Sequence, residues 1–164
     1  MSMVGSMGRP AQSRRVGAAS VALAGLLVAG CASSPKPTEF NATVQAAANV
    51  NPSVSKRPSP VLVRVYELKA ATAFNNADFV SLYQSDQVVL GAEMIGRDEF
   101  ILNPGDSRAL SKVAAPDTRY LGVFAAYRDL ERAKWRAVIP LQLGQKQRIQ
   151  ISAEELSITA AVAK

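Results

Sequence analysis

The chain of 164 residues has no histidine and a single cysteine, Cys31. The missing histidine removes the commonest general base and the commonest metal ligand, and with them Ser-His-Asp and Cys-His arrangements. Neither GxxxxGK[ST] nor GxGxxG occurs, so no phosphate-cradling loop is signalled. A lone thiol forms no internal disulfide, and stability must come from packing. Tracts of about five or six like charges are also missing. The net charge of +6 falls to +3 once the three arginines of residues 1–30 are removed. Such a mild excess makes no case for nucleic acid.

What is present begins with Val28-Ala29-Gly30-Cys31. Arg14 and Arg15 precede an apolar run, Val16 to Val28, too short to span a bilayer comfortably. Small residues at Ala29 and Gly30 open the bond before Cys31 to a peptidase. This layout reads as a lipoprotein signal over 1–30, with diacylglycerol on the Cys31 thiol and a further acyl chain on the freed amine. Several chains on one residue hold a protein at a membrane where a single chain holds only marginally. Ala32, where an inner-membrane lipoprotein commonly carries aspartate, points to the inner leaflet of the outer membrane, facing the periplasm. Residues 31–38 then form a Pro- and Ser-containing tether, reaching roughly 23 Å at full stretch.

Residues 39–164 are long enough for one domain with its own core. Phe40, Ala42, Val44, Ala46 and Ala48 alternate with other residues, the period of a half-buried strand. Val61, Val63 and Val65 alternate with Leu62, Arg64 and Tyr66, a strand covered on one face and partly on the other. Asn103-Pro104-Gly105-Asp106 predicts a type II turn, and Leu143-Gly144-Gln145-Lys146 a hairpin. Tyr120 to Tyr127, Trp135 to Leu143, Gln147 to Ile151 and Leu156 to Val162 read as further strands, with Trp135 in the core. Phe79, Leu82 and Tyr83 break the rhythm with helical spacing, predicting a helix over 76–84 capped by Asn75. The fold class is all-β: an antiparallel two-sheet sandwich of seven or eight strands with one short helical insertion. An up-and-down barrel is the alternative.

No spacing of carboxylates selects a catalytic pair, and residues such as Asp78, Asp86 and Asp129 read as solvated surface groups. The chain is therefore expected to be no enzyme and to need no cofactor beyond the covalent lipid. The segment Asn49-Val50-Asn51-Pro52-Ser53-Val54-Ser55-Lys56-Arg57-Pro58 is different. It joins two strands, is far longer than a tight turn, and is basic and stiffened by proline. A protruding basic loop on a rigid sandwich is a natural binding element.

The order of segments resembles the TssJ family, outer-membrane lipoproteins of type VI secretion systems. The carriers are Cys31, Asn51-Pro52, Arg57 to Leu68, Phe74 to Tyr83, Asn103-Pro104-Gly105, Tyr120 to Leu130, and Trp135-Arg136. The resemblance implies a transthyretin-like sandwich with a helical addition. It implies a tether of the trans-envelope complex whose partner is the periplasmic C-terminal region of TssM, with TssL in the wider complex. It also implies that the loop between the first two strands, here 49–58, makes the contact, with Asn51, Val54, Lys56 and Arg57 as the expected contacts, through a domain monomeric alone and present in several copies in the assembly. A pilotin or binding lipoprotein of another envelope machine is the alternative, ahead of a carboxylate-based hydrolase.

Overall fold

The computed structural model describes residues 35–163; the signal over 1–30 and Cys31 lie outside them. Among the described residues, eight strands form two sheets of four. The elements are β1 (Glu39–Ala46), β2 (Val61–Leu68), α1 (Thr72–Asn76), α2 (Phe79–Leu90), a 3-10 turn (Gly91–Glu93), β3 (Met94–Leu102), β4 (Ser107–Val113), β5 (Tyr120–Ala126), β6 (Arg136–Pro140), β7 (Lys146–Ala153) and β8 (Ile158–Val162). One sheet has the order β4-β1-β7-β8 and the other β3-β2-β5-β6. The pairs are antiparallel except β1 with β7, which run parallel with Ala42 opposite Ile149.

The alternation read from the sequence sets the interior. Phe40, Ala42, Val44 and Ala46 of β1 meet Val61, Val63 and Val65 of β2 and Leu121, Val123 and Ala125 of β5 in one buried cluster. Each fully buried Val, Leu or Phe side chain here contributes about 1.5–3 kcal/mol relative to exposure. The strand expected to reach Ala48 stops at Ala46, where the chain turns out and Ala47 N–H donates to Ala153 O at 2.8 Å. The turn at 103–106 is as expected: Gly105 has φ +84° and Asp106 N–H donates to Asn103 O at 2.9 Å.

The other face of the β3-β2-β5-β6 sheet is covered by the helical insertion. Tyr66, Leu68 and Phe124 pack there against Phe74, Leu82 and Leu90. The insertion is longer than the expected 76–84, and its cap is Asp78, not Asn75. Asp78 Oδ1 accepts from Ser81 N–H at 2.9 Å, whereas Asn75 is spent inside α1. Gly122 makes this docking possible, since a Cβ there would lie 2.9 Å from Leu68 Cδ1 and 3.2 Å from the Phe74 ring. Half-buried Trp135 packs edge-on to Phe79 and Phe124, and Arg136 caps the end of α1 through Phe74 O and Ala77 O.

Two expectations are corrected. Residues 143–146 form no hairpin: β6 and β7 belong to different sheets, and Gly144 at φ +68° serves a crossover between them. The hairpin lies instead between β7 and β8, closed by Glu154 N–H to Ser157 O at 2.8 Å. Asp86 is not a solvated group but is 5 % exposed, because α2 is pressed onto the sheet. It accepts from Tyr66 Oη at 3.0 Å and Arg97 Nη1 at 2.6 Å. Burial pushes its carboxyl up, but the Arg97 and Tyr66 hydrogen bonds and the charges of Arg97 and Arg64 outweigh that and hold it below the usual range.

Candidate functional site

The candidate site is the loop between β1 and β2. It leaves the sandwich at the end of β1 opposite Glu39, about 23 Å away along an eight-residue strand. The same end carries the turn 103–106 and the connections 127–135 and 154–157.

The base of the loop is built into the protein. Val50 is completely buried in the sandwich core. Asn51 is 3 % exposed and holds φ +50°, a conformation that asparagine tolerates better than most residues. Its N–H donates to Glu155 O at 3.0 Å, its Nδ2 to Pro60 O at 2.8 Å, and its Oδ1 accepts from Arg128 N–H at 2.8 Å. Asn49 Nδ2 adds a bond to Glu155 Oε2 at 3.3 Å. Ser59 N–H donates to Val50 O at 3.1 Å and closes the neck of the loop.

Beyond the neck the chain forms a self-bonded arch. Ser53 N–H donates to Arg57 O at 2.8 Å, and Lys56 N–H to Ser53 O at 2.8 Å. Ser53 Oγ accepts from Arg57 N–H at 3.2 Å and lies 2.9 Å from Ser55 Oγ. Lys56 takes φ +60° at the apex. The side chains of Val54, Ser55, Lys56, Arg57 and Pro58 are exposed, with Pro52 and Ser53 half-buried. Val54 has no apolar cover at all, at 106 % relative exposure.

Of the four expected contacts, the structure brings Val54, Lys56 and Arg57 together on the exposed arch and assigns Asn51 to its foundation. Sequence reasoning missed Arg128, Glu155 and Tyr127 as the parts that hold the arch from below. Tyr127 Oη donates to Ser157 O at 2.7 Å and Glu154 O at 3.1 Å, fixing the β7–β8 turn that receives Asn51. Burial and the charge of Glu154 raise the Tyr127 pKa, so it remains a donor at neutral pH.

The arch offers one apolar side chain flanked by two cations on a hydrogen-bonded frame, which suits protein recognition. The buried carboxylates elsewhere are committed to structure. Asp86 serves Arg64, Arg97 and Tyr66, and Glu67 takes Lys112 Nζ at 3.3 Å and Thr118 Oγ1 at 3.2 Å. Among the described residues no group of three or more acidic or cysteine side chains is placed to hold a metal.

Comparison with known proteins agrees with this architecture. The family described as type VI secretion lipoprotein, VasD, EvfM, TssJ matches residues 38–156. The crystal structure of the lipoprotein TssJ1 from Pseudomonas aeruginosa is 37 % identical, with a TM-score of 0.76 over 78 % of this chain and 98 % of that one. Serratia marcescens Lip, a membrane-bound component of the type VI secretion system, is 27 % identical with a TM-score of 0.70, covering 76 % of this chain and 97 % of its own. A chain of a type VI membrane complex is 25 % identical with a TM-score of 0.62, covering 77 % of this chain and 98 % of that one. None of the curated proteins compared matches. The family is one of structural secretion components and not of enzymes. With its sandwich, helical cover and β1–β2 arch, this chain belongs to the type VI secretion lipoproteins of the TssJ family.

Proposed function

We propose that the chain tethers a type VI trans-envelope complex to the outer membrane. Acyl chains on Cys31 enter the inner leaflet, and the arch 49–58 grips the periplasmic C-terminal region of TssM, with TssL in the wider assembly. The observation that carries this reading is the arch itself. Its base is bonded into the sandwich through Asn51, while Val54, Lys56 and Arg57 stand exposed at the end away from Glu39. A pre-formed loop loses little conformational entropy on binding. Arg57 suits a partner carboxylate, and Val54 a small apolar pocket. Confinement to a membrane raises the effective concentration of the arch, so several copies can cooperate through modest contacts.

The test is co-purification of the TssM periplasmic region with the chain carrying Val54→Asp and Arg57→Glu. Binding should weaken by at least about 30-fold, the loss of a typical hot spot, with the urea midpoint unchanged. Undiminished binding would move the interface to an exposed sheet edge such as β3 or β8. The anchor is tested separately: Cys31→Ser should release the chain from membranes into the soluble fraction.

A further inference from the structure

The opposite end of the sandwich carries a second surface that the arch does not account for. We propose that this end lies on the membrane, with Lys36 and Arg119 over anionic headgroups and Val113 and Leu143 dipping into the interface, an orientation that rests on the Cys31 anchor proposed above.

Here β1 begins, β4 ends and β7 begins. The chain is fixed as soon as it arrives. Thr38 is buried, its Oγ1 accepting from Gly144 N–H at 2.9 Å and its carbonyl from Ala114 N–H at 2.8 Å. Only four residue steps separate Cys31 from Pro35, at most about 14 Å when fully extended. The headgroup layer is itself about 5–8 Å thick per leaflet, and the Debye length at physiological salt adds about 8 Å. An acylated Cys31 therefore keeps this end within the field of the headgroups.

Its composition suits that position. A cleft of about 680 Å³ opens here, lined by Val113, Pro116 and Leu143 together with Lys36 and Arg119. Val113 is 64 % exposed and Leu143 51 % exposed. Neighbouring Lys69 and Lys146 are matched by Asp117 at 3.2 Å and Glu39 at 3.5 Å. Among the described residues Lys36 and Arg119 have no acidic partner, and Arg119 Nη1 reaches only the carbonyls of Pro116 and Thr118. Unmatched cations beside exposed apolar side chains are what an anionic interface attracts. The arch, by contrast, stands at the far end of β1, facing away from the bilayer.

The test uses the full chain, extracted from membranes and inserted into preformed vesicles. One set is phosphatidylcholine alone, the other phosphatidylcholine mixed with phosphatidylglycerol. A membrane-impermeant amine reagent then reports on each lysine by mass spectrometry. Modification of Lys36 and Lys146 should fall about 5-fold on the anionic vesicles, the factor expected for one cation held at such a surface, while Lys56 and Lys134 at the arch end do not change. Arg119→Glu with Leu143→Asp, both at exposed positions, should restore the reactivity of Lys36. Equal reactivity on both vesicles with Cys31 acylated overturns the orientation and leaves the anchor standing. An unmodified Cys31 in the same digest overturns the anchor and the orientation with it. Protection that grows with protein density on phosphatidylcholine places a second copy here and overturns the lipid contact.

Discussion

Two excursions flank β2, and they settle on the protein in opposite ways. The segment 47–60 before it buries Val50 at its base and sends Val54 into solvent. The segment 69–93 after it folds down onto the sheet and buries Phe74, Leu82 and Leu90. The second is held by apolar area. The first has almost none, and is held by hydrogen bonds to Asn51 and across the Ser53–Arg57 arch. A loop whose side chains stand in solvent cannot be held by their burial, so its shape has to come from the backbone.

The comparison can be broken at either excursion. The largest effect is expected in the helical cover, where Asp86→Ala leaves Arg64 and Arg97 without their shared carboxylate. Arg64 is 9 % exposed and also bonded to Glu99 at 2.7 Å. Removing one partner of a buried pair costs about 3 kcal/mol or more, read as a lower urea midpoint. The same carboxylate gives the acid limb. Its folded pKa is depressed, so its contribution is complete above the unfolded carboxylate value near 4 and is lost as pH falls through the lower folded value. Stability should then be flat through neutrality, where a chain without histidine has little to titrate.

Asn51→Ala attacks the other excursion. It strands Arg128 N–H and Pro60 O and puts alanine at φ +50°, for a cost of about 2 kcal/mol. Unlike Asp86→Ala, it should also weaken partner binding, because the arch loses its foundation. Gly122→Ala should cost about 1–2 kcal/mol by pushing Leu68 and Phe74 apart, and hydrogen exchange should quicken in α1 and α2 while the arch is unaffected. The smallest change in stability belongs to Val54→Asp, within about 0.5 kcal/mol by urea unfolding, since the side chain touches nothing. Equal stability losses for Asn51→Ala and Val54→Asp would erase the distinction between base and tip.

Much of the scaffold was legible because strand burial repeats every second residue. Phe40 to Ala46 and Val61 to Val65 declared their inner faces locally, and Pro104-Gly105 declared its turn. The helix spacing of Phe79, Leu82 and Tyr83 was equally local, but its cap was not, since Asn75 and Asp78 are both competent. The misread hairpin at 143–146 shows the limit. A Gly turn specifies a reversal of the chain, not the sheet in which the next strand pairs. Asn51 shows the same limit within the site: its partners Arg128 and Glu155 lie 77 and 104 positions away, so nothing nearby distinguished a foundation residue from a contact.

By itself the sequence determined the β period and the place of the long loop, because each depends on residues adjacent in the chain. Tertiary structure alone decided the parallel pairing of β1 with β7, the burial of Asp86 between Arg64 and Arg97, and the division of the loop into a fixed base and an exposed tip. Those depend on groups far apart in sequence, whose hydrogen bonds and charges become strong only once packing has excluded water around them.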